Sequence, residues 1–219
     1  MTRPAEREAA VTAEPGAAPR QAVGYTIVLP PGWHHIPVRR GSDEAIKKIA
    51  RDVARQFAKG QPRDALTAYR IELERKLREV VGEARRRAAT DAYVPLGLVH
   101  GIPVPASFLV SELSLGSVED IDPAHIIANL SSADGDSRPV TVADAVGART
   151  ERTARADPSK NIDYASRRVD YVLAVPGDRD RYLVVAFSVV CAGDPDDAYV
   201  RLLVELFDAM MLTWRWRWE

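Results

Sequence analysis

The side chains able to do chemistry are few and scattered. There are four histidines, His34, His35, His100 and His125, and a single cysteine, Cys191. His34 and His35 are neighbours in "PPGWHHIPV". Successive side chains of an extended chain point to opposite sides, so this pair does not close on one ion. His100 and His125 stand outside any His-x-x-x-His or cysteine spacing. A zinc centre needs three or four converging nitrogen or sulfur ligands, and no such set exists, so no metal site is expected. Asp134 and Asp136 in "SSADGDSRP" lack the alternating acids and closing glutamate of a calcium loop. They read as turn chemistry.

Cys191 ends the apolar run "LVVAFSVVC" and reads as a small buried hydrophobe. A reactive thiol wants an exposed, electropositive setting. Ser107, Ser111 and Ser114 lie in strand-like sequence, and there is no Gly-x-Ser-x-Gly elbow. Neither phosphate-cradling glycine motif is present. Gly97 and Gly101 fall in a proline-rich turn. No catalytic residue, cofactor-binding residue or cofactor is therefore nominated. An enzyme remains an alternative only if His100, His125 and Asp134 converge, giving a hydrolase-like site within residues 93–136.

Two groups point to binding instead. Arg149, Arg152 and Arg155 in "GARTERTARA", with Arg167 and Arg168 after them, form a basic face if their strands pair. Such a face suits phosphate contacts. The competing reading is a solvated sheet face balanced by Glu151, Asp157, Asp163 and Asp170. The second group is the ending "TWRWRWE", where Trp214, Trp216 and Trp218 alternate with Arg215 and Arg217. Tryptophan and arginine are typical anchors of protein interfaces, so these five residues are the candidate partner-binding site. Period-two spacing also lets the indoles share one side of an extended segment. The favoured reading has Trp214 finishing a helix face and Trp216 or Trp218 covering a sheet edge.

The elements that position these residues follow from periodicity. "YTIVL" (residues 25–29) predicts a strand stopped by Pro30 and Pro31. "SDEAIKKIARDVARQFAKG" predicts a helix with Ser42 as cap, the stripe Ile46, Ile49, Val53 and Phe57, and a stop at Gly60. A second helix from near Pro62 carries the stripe Leu66, Tyr69 or Arg70, Leu73, Leu77, Val80 and Ala84. The middle reads as β, with alternation from Ser107 to Leu115, a short helix at "DPAHIIANL" capped by Asp122, and one or two polar strands after it. Residues 165–192 predict an antiparallel hairpin. Val169, Tyr171, Leu173 and Val175 line one arm, and Leu183, Val185, Phe187, Val189 and Cys191 the other. A last helix follows, with Asp194 as cap, Pro195 first, and Tyr199, Leu202, Leu203, Leu206, Phe207, Met210 and Met211 on its apolar face.

The opening "YTIVLPPGW", the late hairpin and the capped apolar helix ending "LTWRW" together resemble the Mog1/PsbP-like group of α/β-sandwich domains. The resemblance covers residues 25–33 and about 165–218, and leaves out the helices at 42–89. It implies a binding or accessory role, because members of that group, which includes bacterial proteins, act mostly by binding other macromolecules or as accessory subunits. It brings no catalytic residue with it.

The 219 residues are 46% hydrophobic, with 30 basic against 31 acidic side chains. That content builds one sizeable core, and the charge balance gives no global pull toward nucleic acid. No apolar run reaches the ~18 residues of a membrane span, and no secretory leader opens the chain, so a cytoplasmic location is expected. The expected fold is α+β: an antiparallel sheet packed by a C-terminal helix, with an inserted helical hairpin at 42–89. Residues 1–22 are expected to be a disordered tail and 23–219 a single domain. The expected function is a non-enzymatic protein-binding adaptor or accessory subunit of a larger bacterial complex, with another protein as partner. A structural component docking through the helical hairpin is the third possibility.

Overall fold

A computed structural model describes residues 20–56, 62–99, 101–115, 123–130, 135–157, 159 and 162–219. Phe57, Gly60, His100, Asp122, Asp134 and the first 19 residues lie outside the described residues. Seven strands form one sheet in the order β2-β3-β6-β10-β9-β8-β7. These are β2 (Trp33–Pro37), β3 (Ala89–Pro95), β6 (Ala106–Ser114), β7 (Asp136–Val142), β8 (Ala145–Ala154), β9 (Ala165–Ala174) and β10 (Arg181–Cys191). Every neighbouring pair is antiparallel. β4 (Leu98–Val99) and β5 (Ile102–Pro103) make a small separate ladder. A second ribbon joins the two ends of the chain, β1 (Ala22–Thr26) against β11 (Arg215–Trp218).

The expected α+β architecture is present, with both the C-terminal helix on the sheet and the N-terminal helical hairpin. Alternation along β9 and β10 decides the layers. Val169, Tyr171, Leu173, Val175, Leu183, Val185, Phe187, Val189 and Cys191 are all buried in one cluster. Helix α4 (Ala198–Leu212) closes it with Val200, Leu203, Val204, Phe207, Met210 and Met211. Phe207 stacks on Phe187 at 4.5 Å and meets Phe108 and Tyr171 at 5.5 and 5.7 Å. The opposite face is covered by α1 (Ser42–Gln56) and α2 (Arg63–Arg86) through Ile46, Ile49, Val53, Leu77 and Val81 against Ile36, Val38, Ala92 and Val94. Helix α3 (Pro123–Leu130) sets Ile127 on Ala148, Val172 and Tyr182. Among the described residues no helix is long and apolar enough to cross a membrane.

Several local expectations shift. The first strand is Ala22–Thr26 rather than 25–29, and "WHHIP" is itself a strand. The Ser42 hydroxyl accepts from Arg85 at 2.7 Å, tying the two hairpin helices together. On α2 it is Val81 that is buried, while Val80 is exposed. Asp197, not Asp194, caps α4, accepting from the Tyr199 amide at 2.7 Å. Residues 194–197 instead form a turn, with the Asp197 amide donating to the Asp194 carbonyl at 3.1 Å. Pro195 therefore sits at a turn position that suits its fixed φ. Leu202 is 57% exposed, and Val200 and Val204 take its place on the buried face. The helical hairpin is a layer of the core rather than a detachable arm, because it buries one side of β2 and β3.

The ending is part of the fold. Trp214 has 0% exposure and lies flat on Tyr25, 4.1 Å between rings. Trp216 is buried and meets Trp214 edge-on at 5.7 Å. Trp218 is half-exposed. Trp214→Ala should therefore cost about 3–5 kcal/mol of unfolding free energy, and Trp218→Ala less than about 1 kcal/mol. Urea unfolding of both variants checks this, and equal losses would contradict the assignment. The turn between β7 and β8 holds Ala143 at φ 47 and Asp144 at φ 66. A left-handed alanine is strained by roughly 1–2 kcal/mol, so Ala143→Gly should raise stability in the same measurement.

Candidate functional site

A cleft of about 550 Å³ lies where the terminal ribbon crosses the sheet on the α4 side. Its floor comes from His35 on β2, Asp91 and Tyr93 on β3, Glu112 on β6, and Arg181 and Leu183 on β10. Its roof is Tyr25, Gly24, Trp216 and Arg217 from β1 and β11, and Arg39 stands at its rim. The ribbon is held over the sheet by the β9–β10 turn. Ala22 donates its amide to the Pro176 carbonyl at 3.0 Å, and Gln21 reaches Asp178 at 2.7 Å. Gly177 sits at φ 80, and a Cβ there would stand 2.5 Å from the Arg20 carbonyl oxygen. Glycine at that turn therefore permits both the backbone bend and the close crossing.

Asp91 is the hub of the cleft. Its Oδ1 is 2.6 Å from His35 Nε2, and its Oδ2 accepts from the Thr90 hydroxyl at 2.9 Å. Burial pushes the Asp91 carboxyl up, but the hydrogen bonds from His35 and Thr90 and the charge on His35 outweigh it. The carboxyl is held below its ordinary range. His35 also stacks on Tyr93 at 4.8 Å, and the Tyr93 and Tyr25 hydroxyls are 3.0 Å apart. Burial raises both phenols, with each other and Asp91 adding to the shift on Tyr25. They therefore serve as neutral hydrogen-bonding groups.

The cationic side is less saturated. Arg181 donates to Glu112 at 2.8 Å and lies 3.6 Å from Asp178. Arg39 reaches Glu112 only at 3.8 Å and is largely exposed. Arg217 folds across Gly24, where an added Cβ would meet its Nη2 at 2.6 Å. The cleft thus presents Arg39 and Arg217 to an incoming group above a floor of aromatic rings and ion-paired carboxylates. That arrangement can hold an acidic group at the rim and apolar or aromatic matter beneath it.

The sequence-nominated residues separate. Trp214 and Trp216 are core and are not presented to a partner. Arg215 donates to the Leu212 and Trp214 carbonyls at 3.1 and 2.6 Å, closing the end of α4. Arg215, Arg217 and Trp218 of that group are exposed. The five arginines do not make one face. Arg149 is buried and donates twice to Asp208 of α4, both at 2.9 Å, and lies 2.7 Å from Glu151. Tyr171 donates to the same Asp208 at 2.8 Å, and Arg167 joins Glu151 at 2.8 Å and Asp196 at 3.2 Å. These residues dock α4 onto the sheet. Arg152 and Arg168 point to the other side, and Arg155 is exposed beyond the end of β8. His125 is exposed on α3. The pairing of His35 with Asp91 was not legible in the sequence, because the two are 56 positions apart and share no local motif.

No protein-family model matches the chain, and no curated protein matches it. Among solved structures the chain is similar to LpqN, involved in cell envelope biogenesis of Mycobacterium tuberculosis. The match has 13% identity and a TM-score of 0.42 over 93% of this chain and 86% of that one. Likeness at that level carries no argument about function.

Because the Asp91 carboxyl is held low, its stabilising contribution is complete above the ordinary carboxylate pKa of about 3.9. It is lost as pH falls through the lower folded value. Asp91→Asn should cost about 2 kcal/mol at pH 7, and the two stability curves should converge in acid. Curves that stay parallel from pH 7 to pH 2.5 would rule out an ionised Asp91 as the hub.

Proposed function

We propose that this protein is a non-enzymatic binding protein, an adaptor or accessory subunit of a larger bacterial complex. It receives an acidic segment of another protein in the cleft beneath the terminal ribbon. The observation that carries the reading is the pairing state of the rim. Arg217 has no carboxylate within ion-pair distance among the described residues, and Arg39 has only a loose one at 3.8 Å. Cations held at a concave, partly apolar site favour partners of opposite charge and speed their encounter. The Mog1/PsbP-like resemblance supports the same kind of role. The anchor in this reading is no longer the tryptophan ending as a whole, but the arginine it positions.

The test is quantitative affinity capture of the full chain from the cells that make it. Wild type should recover a companion protein in near-stoichiometric yield. A double variant, Arg39→Glu with Arg217→Glu, should recover at least tenfold less of it while keeping the wild-type unfolding midpoint. Equal recovery by both chains would end the cleft assignment, and recovery of no companion would end the adaptor reading.

A further inference from the structure

We propose that the sheet face opposite α4 holds a separate binding site for a phosphate-type oxyanion, built from Arg152 and Arg168, with Arg87 adding its charge from the end of α2. The register sets Arg152 of β8 directly across from Arg168 of β9. Directly opposed residues share a face, and like charges there destabilise a sheet. The same row continues through Ser188 of β10 to Ser107 of β6, adding two half-buried hydroxyls. The end of α2 brings Arg87 near enough to repel Arg168, and burial, Arg152 and Arg87 in that order all disfavour the Arg168 charge.

Compensation is thin. Among the described residues Asp170 is the carboxylate paired with Arg152, at a long 3.4 Å, and burial raises that carboxyl so that it holds its own charge less firmly. Arg152 Nε is buried with no acceptor. Arg168 Nε reaches only the Ser166 hydroxyl, at 3.4 Å. The Glu83 carboxylate is shared between Arg86 and Arg87. Guanidinium forks with unused donors match the oxygens of a tetrahedral dianion. An anion seated there would turn the repulsion between Arg152 and Arg168 into shared attraction. This site does not depend on the cleft and lies on the far side of the sheet from it.

The experiment uses the full chain at fixed ionic strength, with sodium phosphate titrated against sodium chloride. Thermal unfolding should show a saturable rise in midpoint with phosphate and none with chloride. Arg168→Gln and Arg152→Gln should each weaken phosphate binding at least tenfold by calorimetry. Without phosphate, Arg168→Gln should raise the midpoint, because it removes the opposed charge. Arg87→Gln, at an exposed helix end, should weaken binding severalfold with no risk to the fold. Phosphoserine and inorganic phosphate are compared in the same assay. Equal binding assigns the site to a phosphate group carried on a larger molecule, and binding of inorganic phosphate alone assigns it to the free anion. Phosphate that acts no differently from chloride, or affinity unchanged in all three variants, overturns the proposal.

Discussion

The indole of Trp214 lies against the ring of Tyr25 with 4.1 Å between centroids and 9° between planes, wholly out of solvent. That contact joins the first strand of the domain to the end of its last helix. The β1–β11 ribbon extends from it, and the ribbon is the roof of the cleft. Neither the Trp214 nor the Trp216 indole N–H finds an acceptor. Leaving a buried donor unpaired costs about 1–3 kcal/mol, so apolar burial and ring stacking must outweigh two such costs. Each tryptophan buries on the order of 150–250 Å², which at about 25 cal/mol per Å² is enough to do so. The stack continues through Tyr25 to the Tyr93 hydroxyl, and through Tyr93 to Phe108 at 4.2 Å. A single aromatic column therefore couples the ends of the chain, the cleft floor and the main core.

What periodicity could show, it showed well. Both arms of the β9–β10 hairpin bury the very residues their alternation marks, because a sheet covered on that side by α4 leaves the pattern no freedom. The helical stripes were legible to within one position. Val81 displaces Val80 because one residue of helix turns a side chain through about 100°, and the contact with the sheet selects between two equally apolar neighbours. "WHHIP" gave no strand signal because its two middle positions are histidines, one of them recruited by Asp91. The α4 cap was misplaced because "GDPDD" supplies three acids able to do it, and only the preceding turn decides that the third is used.

The cleft was illegible for a different reason. Its residues come from β1, β2, β3, β6, β10 and β11, and antiparallel pairing brings them together only after α1 and α2 have folded between β2 and β3. No window of sequence contains two of its interacting charges, apart from Arg181 with Asp178. The terminal alternation of tryptophan and arginine was the nearest available sign. It marked the segment that roofs the cleft, in which Trp214 and Trp216 face inward while Arg215, Arg217 and Trp218 are exposed.

The same parity governs the arginine-rich middle strands. Arg167 and Arg168 are adjacent in sequence and identical in type, yet they serve unlike environments. Arg167 faces α4 and is held by Glu151, Thr153 and Asp196. Arg168 faces away, opposite another arginine. A composition count treats the two alike, and so does a net-charge argument. Only the register separates a guanidinium that closes an ion-pair network from one left with capacity to bind. The face toward α4 has its charges matched because docking a helix over unmatched charge would strand them in a poor dielectric. On the opposite face Arg152 and Arg168 are partly buried yet lie outside the apolar contacts made by α1, α2 and α3 among the described residues. Charge that no docked helix neutralises is charge that a ligand can use.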